Sequence, residues 1–291
     1  MILAIASGKG GTGKTTIAVS MACALAAKEK VTLVDLDVEA PNSHLFLEPD
    51  FEGEDIASLP VPQVDEDACT RCGACSDICQ FKAIALLGKT IITFPPLCHG
   101  CGACWTVCPE KCIEKSSREL GEISWGKAGV EKNLDLLMGR LRIGEAMSPP
   151  LMRQVMEKMD RSRQIIIDAP PGTSCPMMTA QQSAEAVLLV TEPTPFGLHD
   201  FRLAVEAIKP LNKPMGVVIN RAGLGYEKVH EYCQNEGLEI LASIEYDEKI
   251  AKAYSRGERL IQAAPHVTEK LLNAHGRLEQ MVRERREEGL A

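Results

Sequence analysis

The sequence predicts an α/β fold: a mostly parallel sheet with helices on both faces, into which a smaller α+β domain is inserted. The first observation is that short apolar runs alternate with helical stretches along most of the chain. Strands that alternate with helices of about ten residues or more are typical of parallel sheets covered by helices. The second observation is a glycine-rich turn directly after the first apolar run. The third is a duplicated cysteine spacing between residues 69 and 108.

The apolar runs and helical stretches give the predicted elements. The predicted strands are Met1–Ala6, Val31–Asp37, Gln164–Asp168, Ala186–Thr191, Met215–Asn220 and Leu238–Ile244. The predicted helices are Ile17–Lys28, Leu198–Ile208, Glu227–Glu236 and Val267–Glu288. On the last helix Leu271, Leu278 and Val282 form an apolar stripe, which predicts packing on its own domain. That helix is too charged for stable membrane insertion. Residues 42–62, rich in Pro, Asp and Glu, are expected to form an irregular connector.

A phosphate-binding loop follows the first predicted strand. Gly8-x4-Gly13-Lys14-Thr15 satisfies GxxxxGK[ST] and lies between a strand and a helix, which is the context that this pattern requires. Backbone N–H groups of such a loop and the dipole of the following helix bind phosphates. Lys14 would bridge the β- and γ-phosphates, and Thr15 would ligate Mg²⁺. The loop residues expected to contact a nucleotide are Gly8, Lys9, Gly10, Gly11, Thr12, Gly13, Lys14, Thr15 and Thr16.

The loop also contains a second lysine. The string from Lys9 to Thr15, KGGTGKT, resembles the deviant Walker A motif of the MinD/Mrp/nitrogenase-iron-protein group of P-loop ATPases, the SIMIBI class. The resemblance implies a Mg²⁺-dependent ATPase that binds ATP or ADP. It also implies a homodimer in which two chains sandwich two nucleotides. In that arrangement Lys9 reaches the partner's nucleotide, so Lys9 and Lys14 are both expected to be catalytic.

Acidic residues end two further predicted strands. Asp35 and Asp37 match switch I of that family, and Asp168 opens a segment DAPPGT that resembles switch II of the Mrp-like branch. The resemblance implies that Asp37 orients the attacking water and that Asp35 supports the Mg²⁺ shell. It implies that Asp168 holds Mg²⁺ through water and that the Gly172 amide senses the γ-phosphate. The expected Mg²⁺ residues are Thr15, Asp35, Asp37 and Asp168, and the expected adenine contacts are Asn220 and Arg221.

Eight of the 12 cysteines fall into two copies of one spacing, C-x2-C-x2-C-x3-C. This spacing is that of bacterial proteins with two [4Fe–4S] clusters, in which the fourth cysteine of each run ligates the other cluster. Zinc ribbons favour two CxxC pairs separated by a longer loop, so zinc is the weaker interpretation, and so are disulfides. The expected ligand sets are Cys69, Cys72, Cys75 and Cys108 for one cluster, and Cys98, Cys101, Cys104 and Cys79 for the other.

The two cysteine runs belong to an internal duplication, because Ile84 aligns with Ile113 at the same offset as Cys69 with Cys98. The segment resembles a bacterial-type ferredoxin domain, and it predicts a 2[4Fe–4S] insertion at 63–115 within a MinD-like ATPase domain formed by 1–62 and 116–291. Cys112 aligns with Ala83 and is expected to be a small core residue, and His99 is expected to be a surface residue. Gly139–Pro150 gives no chemistry of its own and is assigned to a dimer surface or a cluster-facing surface.

The remaining cysteines are not expected to be ligands. Cys23, on the predicted helix after the loop, is expected in the core. Cys233 stands alone and lacks the CxxC pair that Mrp-type cluster carriers use. Cys175 follows Asp168 at the interval that separates switch II from a cluster-ligating cysteine in the nitrogenase iron protein. No second thiol occupies the matching upstream region around Ala128 and Gly129, so an intersubunit cluster is not expected. Cys175 is instead expected to be a buried switch residue.

Composition limits the partners and the compartment. The net charge is −8, which argues against nucleic acid because phosphates demand a basic face. The sequence has no signal peptide and no apolar stretch of about 18 residues. Abundant cysteines in such motifs fit a reducing cytoplasm.

Three functions fit these motifs. The first is an ATPase that couples nucleotide state to electron transfer through the two clusters to a redox partner. The second is an iron–sulfur or metal-cofactor assembly carrier, as the Mrp branch implies; eight complete ligands favour permanent clusters over cargo. The third is a positioning ATPase like MinD with a redox sensor, which the charged terminal helix makes the weakest of the three.

Overall fold

The computed structural model describes residues 1–223 and 225–289, and the chain forms two compact units. The first unit comprises Met1–Glu54, Ile123–Arg140 and Met152–Ala291, and the second comprises Asp55–Glu122 and Leu141–Leu151. The cysteine-rich segment lies in the second unit. That unit begins before and ends after the predicted insertion 63–115, and it also takes in part of Gly139–Pro150.

The described residues form eleven strands and eleven α-helices. The strands are β1 (Ile2–Ala6), β2 (Val31–Asp35), β3 (Asp50–Val64), β4 (Ile84–Leu87), β5 (Thr90–Thr93), β6 (Ile113–Lys127), β7 (Leu134–Leu141), β8 (Gln164–Asp168), β9 (Ala186–Thr191), β10 (Met215–Ala222) and β11 (Glu239–Glu245). The helices are α1 (Lys14–Ala26), α2 (His44–Leu47), α3 (Ala74–Ile78), α4 (Ala103–Val107), α5 (Pro149–Glu157), α6 (Cys175–Gln182), α7 (Pro195–Ile208), α8 (Lys228–Glu236), α9 (Glu248–Ser255), α10 (Leu260–Ala263) and α11 (His266–Glu287).

Among the described residues nine strands form one sheet, in the order β11-β10-β9-β1-β8-β2-β7-β6-β3. Every neighbouring pair from β11 through β7 is parallel. Strands β1, β2, β8 and β9 are buried along their whole length, which is typical of parallel strands covered by helices. The mostly parallel α/β sheet predicted from the sequence is therefore confirmed, and all six predicted strands form.

The sheet order brings the predicted site residues to one edge. Strands β1, β8 and β2 are parallel neighbours, so their carboxyl ends meet at the same edge of the sheet. Asp168 lies opposite Ile5 in the register of β1 and opposite Asp35 in the register of β2. The glycine-rich turn leaves β1 at this edge. Ligand sites in open α/β sheets form outside the carboxyl ends of the strands.

The prediction of an irregular connector at 42–62 was wrong. The segment contains helix α2 and most of strand β3. The first part of β3 is exposed and acidic, and Pro60 and Pro62 lie near its end, so its sequence lacks the apolar alternation of a strand. It is the last strand in the sheet order, and proline is tolerated on edge strands because one side of the backbone needs no ladder partner.

The terminal helix packs as its apolar stripe predicts. Leu271, Leu278 and Val282 of α11 are buried in the main core of the first unit, together with residues of α1 and β1. Helix α11 therefore covers its own domain, and the prediction is confirmed. Among the described residues, none of the helices combines the length and the apolar character needed to cross a bilayer.

Candidate functional site

The glycine-rich loop begins helix α1 with a geometry that only glycine permits. Gly13 precedes the helix with φ 94°, in the left-handed region that disfavours side chains. A Cβ at Gly13 would lie 2.3 Å from the Asn220 amide nitrogen, and one at Gly8 would lie 2.0 Å from the Asp200 carbonyl oxygen. Both positions therefore require glycine, because neighbouring groups approach too closely for a side chain.

A buried ion pair lies directly beneath the loop. The Lys14 ammonium lies 2.6 Å from Asp168 Oδ1, and the Thr15 hydroxyl donates to Asp168 Oδ2 at 2.6 Å. Lys14 is 6% exposed and Asp168 is fully buried. Burial alone would lower the pKa of Lys14, but the charge and hydrogen bond of Asp168 outweigh burial and the pKa is raised. The structure therefore brings together three residues that the sequence assigned to phosphate and Mg²⁺.

Asp35 is turned toward the backbone of the segment that follows it. Its carboxylate accepts hydrogen bonds from the backbone N–H groups of Asp37 at 3.1 Å, Asn42 at 3.1 Å and Ser43 at 3.0 Å. Burial first, and then the charge of Asp168, raise the pKa of Asp35 to about 7. Asp35 therefore holds the segment from Asp37 to Ser43 in place, a role that its position at a strand end did not predict.

Asp37 faces the cavity in front of the loop. Its carboxylate lies 4.0 Å from the Lys14 ammonium, and its side chain is 18% exposed. Burial raises the pKa of Asp37 to about 6, with Lys14 acting in the opposite direction and Asp168 adding to the rise. A carboxylate with a pKa near this range can accept a proton from water close to neutral pH.

Lys9 is bound within its own chain by a residue that sequence analysis missed. Its ammonium donates to Glu192 Oε1 at 2.5 Å, and the other oxygen of Glu192 accepts from Arg221 at 2.8 Å. Burial opposes ionisation of Glu192, but Lys9 and then Arg221 lower its pKa. One glutamate after a strand is an unremarkable sequence feature, so only the fold could identify this contact.

A cavity of about 1130 Å³, part of it open to solvent, lies in front of the loop. Asn220 and Arg221 line it, and the Asn220 amide donates to the Thr12 carbonyl at 2.7 Å. The Gly172 N–H donates to the Ser7 carbonyl at 3.0 Å, so the turn after Asp168 contacts the start of the loop. The predicted residues that line the cavity are Lys9, Gly10, Gly11, Gly13, Lys14, Thr15, Thr16, Asp37, Asn220 and Arg221.

The far end of this cavity is formed by residues that sequence analysis did not identify. Tyr246 and Asp247 follow β11, and Ile250 and Tyr254 lie on α9. Tyrosine and isoleucine side chains give an apolar wall of the kind that a planar base packs against. Nothing in the local sequence marks these residues. They reach the cavity only because the fold places β11 and α9 beside the glycine-rich loop, which is distant in sequence.

The eight motif cysteines line two separate cavities in the second unit. Each cavity encloses a similar space, about 330 Å³ in one and 340 Å³ in the other, including open solvent. The first is lined by Cys69, Cys72, Cys75 and Cys108, and the second by Cys79, Cys98, Cys101 and Cys104. Each run contributes its first three cysteines to one cavity and its fourth to the other, which is the crossed arrangement that the spacing predicts.

The duplication is visible in the backbone. Helices α3 and α4 each begin after a glycine of positive φ, Gly73 at 83° and Gly102 at 80°. Each helix ends at the fourth cysteine of its run, where the backbone becomes extended. The matching left-handed residues of the two copies are Arg71 and Gly100, Gly73 and Gly102, and Lys82 and Lys111.

Backbone N–H groups point at the cysteine sulfurs. The Ala83 N–H donates to Cys79 Sγ at 3.2 Å, and the Gly100 N–H donates to Cys98 Sγ at 3.4 Å. Burial would raise the pKa values of Cys79 and Cys108, but the backbone N–H groups around each fourth cysteine outweigh burial and lower both. Such donors favour thiolates, which are the form that binds metals.

Two further groups support the second cavity. His99 stacks on Phe81 with ring centroids 3.6 Å apart, and both rings line the cavity. His99 is exposed, as predicted. Arg118 is buried, donates to the Cys98 carbonyl at 3.3 Å and forms an ion pair with Glu145. Part of Gly139–Pro150 thus supports a cysteine loop, a contact between distant segments that sequence analysis missed.

The remaining cysteines differ from one another. Cys23 and Cys233 are buried, and Cys23 lies in the core of the first unit as predicted. Cys112 is also buried, and its sulfur lies 3.5 Å from that of Cys108. Cys175 is exposed at the start of α6, so its predicted burial was wrong. Thr173 and Ser174, which precede it, are also exposed, so this turn lies at the surface.

Within the described residues, no three His, Cys, Asp or Glu side chains converge to hold a single metal ion. The cysteines of each cavity surround a space and do not meet at one point. In a [4Fe–4S] cube each thiolate binds a different iron, so a cube does not require its ligand sulfurs to converge on one position.

The comparisons with known proteins identify the family of the chain. A family model described as the CobQ/CobB/MinD/ParA nucleotide binding domain matches residues 3–261. The chain belongs to the CobQ/CobB/MinD/ParA family. Its glycine-rich loop, the buried Lys14–Asp168 pair and the residues that line the cavity in front of them all lie within the matched residues.

Relatives in this family extend over nearly the whole chain. An uncharacterized protein of Methanocaldococcus jannaschii is 32% identical over 97% of this chain and 98% of its own length. A second uncharacterized protein of the same organism is 29% identical over 90% of this chain and 92% of its own length. The iron-sulfur cluster carrier protein of Aquifex aeolicus is 26% identical over 91% of this chain, which spans 62% of that protein.

Solved structures show the same fold for this family member. MinD from Pyrococcus horikoshii, in complex with Mg-ADP, matches with a TM-score of 0.60 at 20% identity and covers 96% of both chains. The MinC:MinD complex of Aquifex aeolicus matches with a TM-score of 0.58 at 19% identity, over 96% of this chain and 95% of that one. These likenesses establish a MinD-like P-loop fold.

Proposed function

We propose that this protein is a Mg²⁺-dependent ATPase that couples its nucleotide state to electron transfer through two [4Fe–4S] clusters. The observation that carries the proposal is the sorting of eight cysteines into two cavities, each lined by the crossed set of four. A nucleotide-binding family member with two such cavities combines an ATP site with two cluster sites in one chain. Its partner is a redox or metal-cofactor protein in the cytoplasm.

The ATP site works by exchange of partners in the buried ion pair. Lys14 leaves Asp168 and bonds the phosphate oxygens of the nucleotide, because the phosphate replaces the carboxylate as its negatively charged partner. Asp168 and Thr15, already joined by a hydrogen bond, would then hold Mg²⁺, which would neutralise charge that develops on the phosphates. Asp37 accepts a proton from the attacking water, while Asp35 keeps the segment behind it ordered.

Hydrolysis in this proposal requires a homodimer with two nucleotides between the chains. Lys9 must then leave Glu192 to reach the partner's nucleotide, because it is bound to that carboxylate within its own chain. Its side chain is 29% exposed, so it is accessible for that exchange. Asn220 and Arg221 border the cavity on the side of Tyr246 and Tyr254, where the adenine is expected.

The cysteine cavities have the chemistry that iron–sulfur clusters need. Each offers four sulfurs and backbone N–H donors directed at them, as at Cys79 and Cys98. Thiolates are the ligands of such clusters, and hydrogen bonds to sulfur tune their potentials. Bound clusters would supply one-electron transfer. The protein would hold them in the second unit, through the ferredoxin-like repeats proposed for residues 63–115.

The chain connects the two functions covalently. The segment held by Asp35 leads through α2 into β3, which begins in the first unit and ends in the second. A change at switch I on loss of the γ-phosphate therefore acts on the chain segment that continues into the cysteine-rich unit. Switch segments of P-loop proteins rearrange in this way with the state of the nucleotide.

Iron content of anoxically purified protein tests the cluster sites. The wild type is expected to be brown and to hold about eight iron atoms per chain, as two [4Fe–4S] clusters require. Cys108→Ser should lose about half of the iron, because it removes a ligand of one cluster only. Cys23→Ser is the matched control, since this buried cysteine lies outside both cavities and should leave iron content unchanged. A colourless wild type would exclude the proposal.

Stopped-flow reoxidation tests the coupling. Protein reduced under anoxic conditions is mixed with a small electron acceptor in the presence of MgATP, MgADP or no nucleotide. The proposal expects rates that differ with the nucleotide. Equal rates in all three conditions, with full iron content, would leave the clusters in place but exclude the coupling.

Iron–sulfur carriage is the second candidate function. The resemblance to proteins named as iron-sulfur cluster carriers, at 26% identity, favours it. Four complete ligands per cavity favour retained clusters, because a carrier must release its cargo. Incubation with an apo-acceptor decides between the two: transfer of iron to the acceptor supports carriage, and retention of about eight iron atoms supports electron transfer.

A further inference from the structure

The duplication makes the two cysteine cavities nearly equivalent, so a residue that differs between the copies at a cavity wall can distinguish them. Cys112 in the second copy aligns with Ala83 in the first. Cys112 lines the cavity of Cys69, Cys72, Cys75 and Cys108, whereas Ala83 lines the other cavity. One cavity is therefore surrounded by five thiols and the other by four.

The fifth thiol lies at hydrogen-bonding distance from a proposed ligand. Cys112 Sγ is 3.5 Å from Cys108 Sγ, and Cys112 is 6% exposed. The matching contact cannot exist at Ala83, which has no side-chain donor. At the fourth cysteine of the first copy the donor is instead the Ala83 N–H, which lies 3.2 Å from Cys79 Sγ.

The direction of the hydrogen bond follows from the proposed ligand role. A cysteine bound to iron carries no proton, so Cys108 can only accept and the Cys112 thiol must donate. A donor on a ligand sulfur stabilises negative charge on the cluster, and the reduced cluster carries one more negative charge than the oxidised one. The donor therefore raises the reduction potential of that cluster.

We propose that the Cys112 thiol is a tuning group that raises the potential of the cluster held by Cys69, Cys72, Cys75 and Cys108. This inference rests on the proposed function, because it requires a cluster in that cavity. The physical consequence is that this cluster is easier to reduce than it would be with alanine at position 112.

The second cavity has its own distinguishing groups, which act on Cys98 and not on the fourth cysteine. Arg118 donates to the Cys98 carbonyl, and its charge is offset by the ion pair with Glu145. The Gly100 N–H donates to Cys98 Sγ at 3.4 Å. Both groups stay in place when Cys112 is replaced, so a change in the first cluster can be measured against an unchanged second cluster.

A reciprocal pair of substitutions tests the inference. Cys112→Ala gives the second copy the side chain of the first, and Ala83→Cys gives the first copy the thiol of the second. Potentials of both clusters are measured by anoxic redox titration with detection by electron paramagnetic resonance, together with iron content. Cys112→Ala is expected to lower one potential and leave the other unchanged. Ala83→Cys is expected to raise the potential that Cys112→Ala left unchanged.

Several outcomes would overturn the inference. If Cys112→Ala keeps about eight iron atoms and both wild-type potentials, the thiol does not tune the cluster, although the proposed function stands. If the same variant loses about half of the iron, Cys112 is a ligand and not a donor. Cys112→Ser, which keeps a hydroxyl donor, should move the potential less than Cys112→Ala; an equal shift would point to altered packing. A wild type without iron removes the proposed function and this inference together.

Discussion

Replacement of Lys14 by Met should destabilise the nucleotide-free protein far more than an average surface substitution. The ammonium lies 2.6 Å from Asp168, which is fully buried, and Lys14 itself is 6% exposed. Methionine fills a similar length but leaves Asp168 beside the buried Asp35 without a cation. Breaking one partner of a buried pair costs about 3–5 kcal/mol, compared with about 0–1 kcal/mol for an exposed pair.

The cost should depend on pH. Burial raises the pKa of Asp35 to about 7 and that of Asp37 to about 6, and Lys14 lowers both. Between the ordinary carboxyl range and these values the folded state binds more protons than the unfolded state. Stability therefore falls as pH rises through this window, by at most about 1.4 kcal/mol per pH unit for each group. Without Lys14 the pKa values of Asp35 and Asp37 in the folded state rise further, so the loss of stability continues to higher pH. Lys14→Met should therefore lower the free energy of unfolding more near pH 8 than near pH 5.

Tryptophan fluorescence during urea unfolding can report this change in the first unit alone. The chain has two tryptophans, Trp105 in the second unit and Trp125 in the first, so Trp105→Phe leaves a single reporter. Addition of Asp168→Asn to Lys14→Met removes the unpaired carboxylate and should recover most of the lost stability. Equal stability of wild type and Lys14→Met near pH 8 would show that the buried Lys14–Asp168 pair does not stabilise the fold. So would the absence of recovery in the double variant.

Three further substitutions test other parts of the site and core. Glu192→Gln removes the carboxylate charge that holds Lys9 and Arg221; it should cost about 1 kcal/mol of unfolding free energy, and a stability equal to wild type would contradict the ion pairs. Asp37→Asn should lower ATP turnover about a hundredfold or more with ATP affinity kept, as measured by phosphate release and nucleotide titration; unchanged turnover would exclude Asp37 as the base. Leu278→Ala should cost about 2–5 kcal/mol in urea unfolding, because this side chain of α11 is fully buried in the core of the first unit; a loss below about 1 kcal/mol would contradict that packing.

Strands that are buried along their whole length were predictable from the sequence. Gln164–Asp168 and Ala186–Thr191 form with the predicted bounds, because a continuous apolar run between turns leaves few alternatives. Strand β3 was missed because its exposed acidic start and its prolines suppress that signal. The sequence analysis did not predict strands β6 and β7 either. Charged residues interrupt the alternation in β6, whereas β7 contains Leu134, Leu136, Leu137 and Met138.

The residues of the candidate site also fall into those that the sequence predicts and those that only the fold reveals. The proximity of Lys14, Thr15 and Asp168 could be predicted from motifs, because each motif fixes residue type and spacing locally. Glu192 and Arg118 could not, since each acts on a partner far away in sequence that only the fold brings close. The crossed cysteine sets were predictable because a duplicated spacing carries information about long-range pairing, which a single residue does not.

The affinities of oxidised and of reduced protein for ATP test whether nucleotide binding is coupled to reduction of the clusters. Coupling is reciprocal: if nucleotide state changes the free energy of cluster reduction, reduction must change nucleotide affinity by the same factor. A fluorescent ATP analogue titrated under anoxic conditions into both redox states gives the two dissociation constants. We expect the two constants to differ by about fivefold or more, the lower end of ordinary coupling energies. Equal constants, on protein with both clusters present, would contradict it.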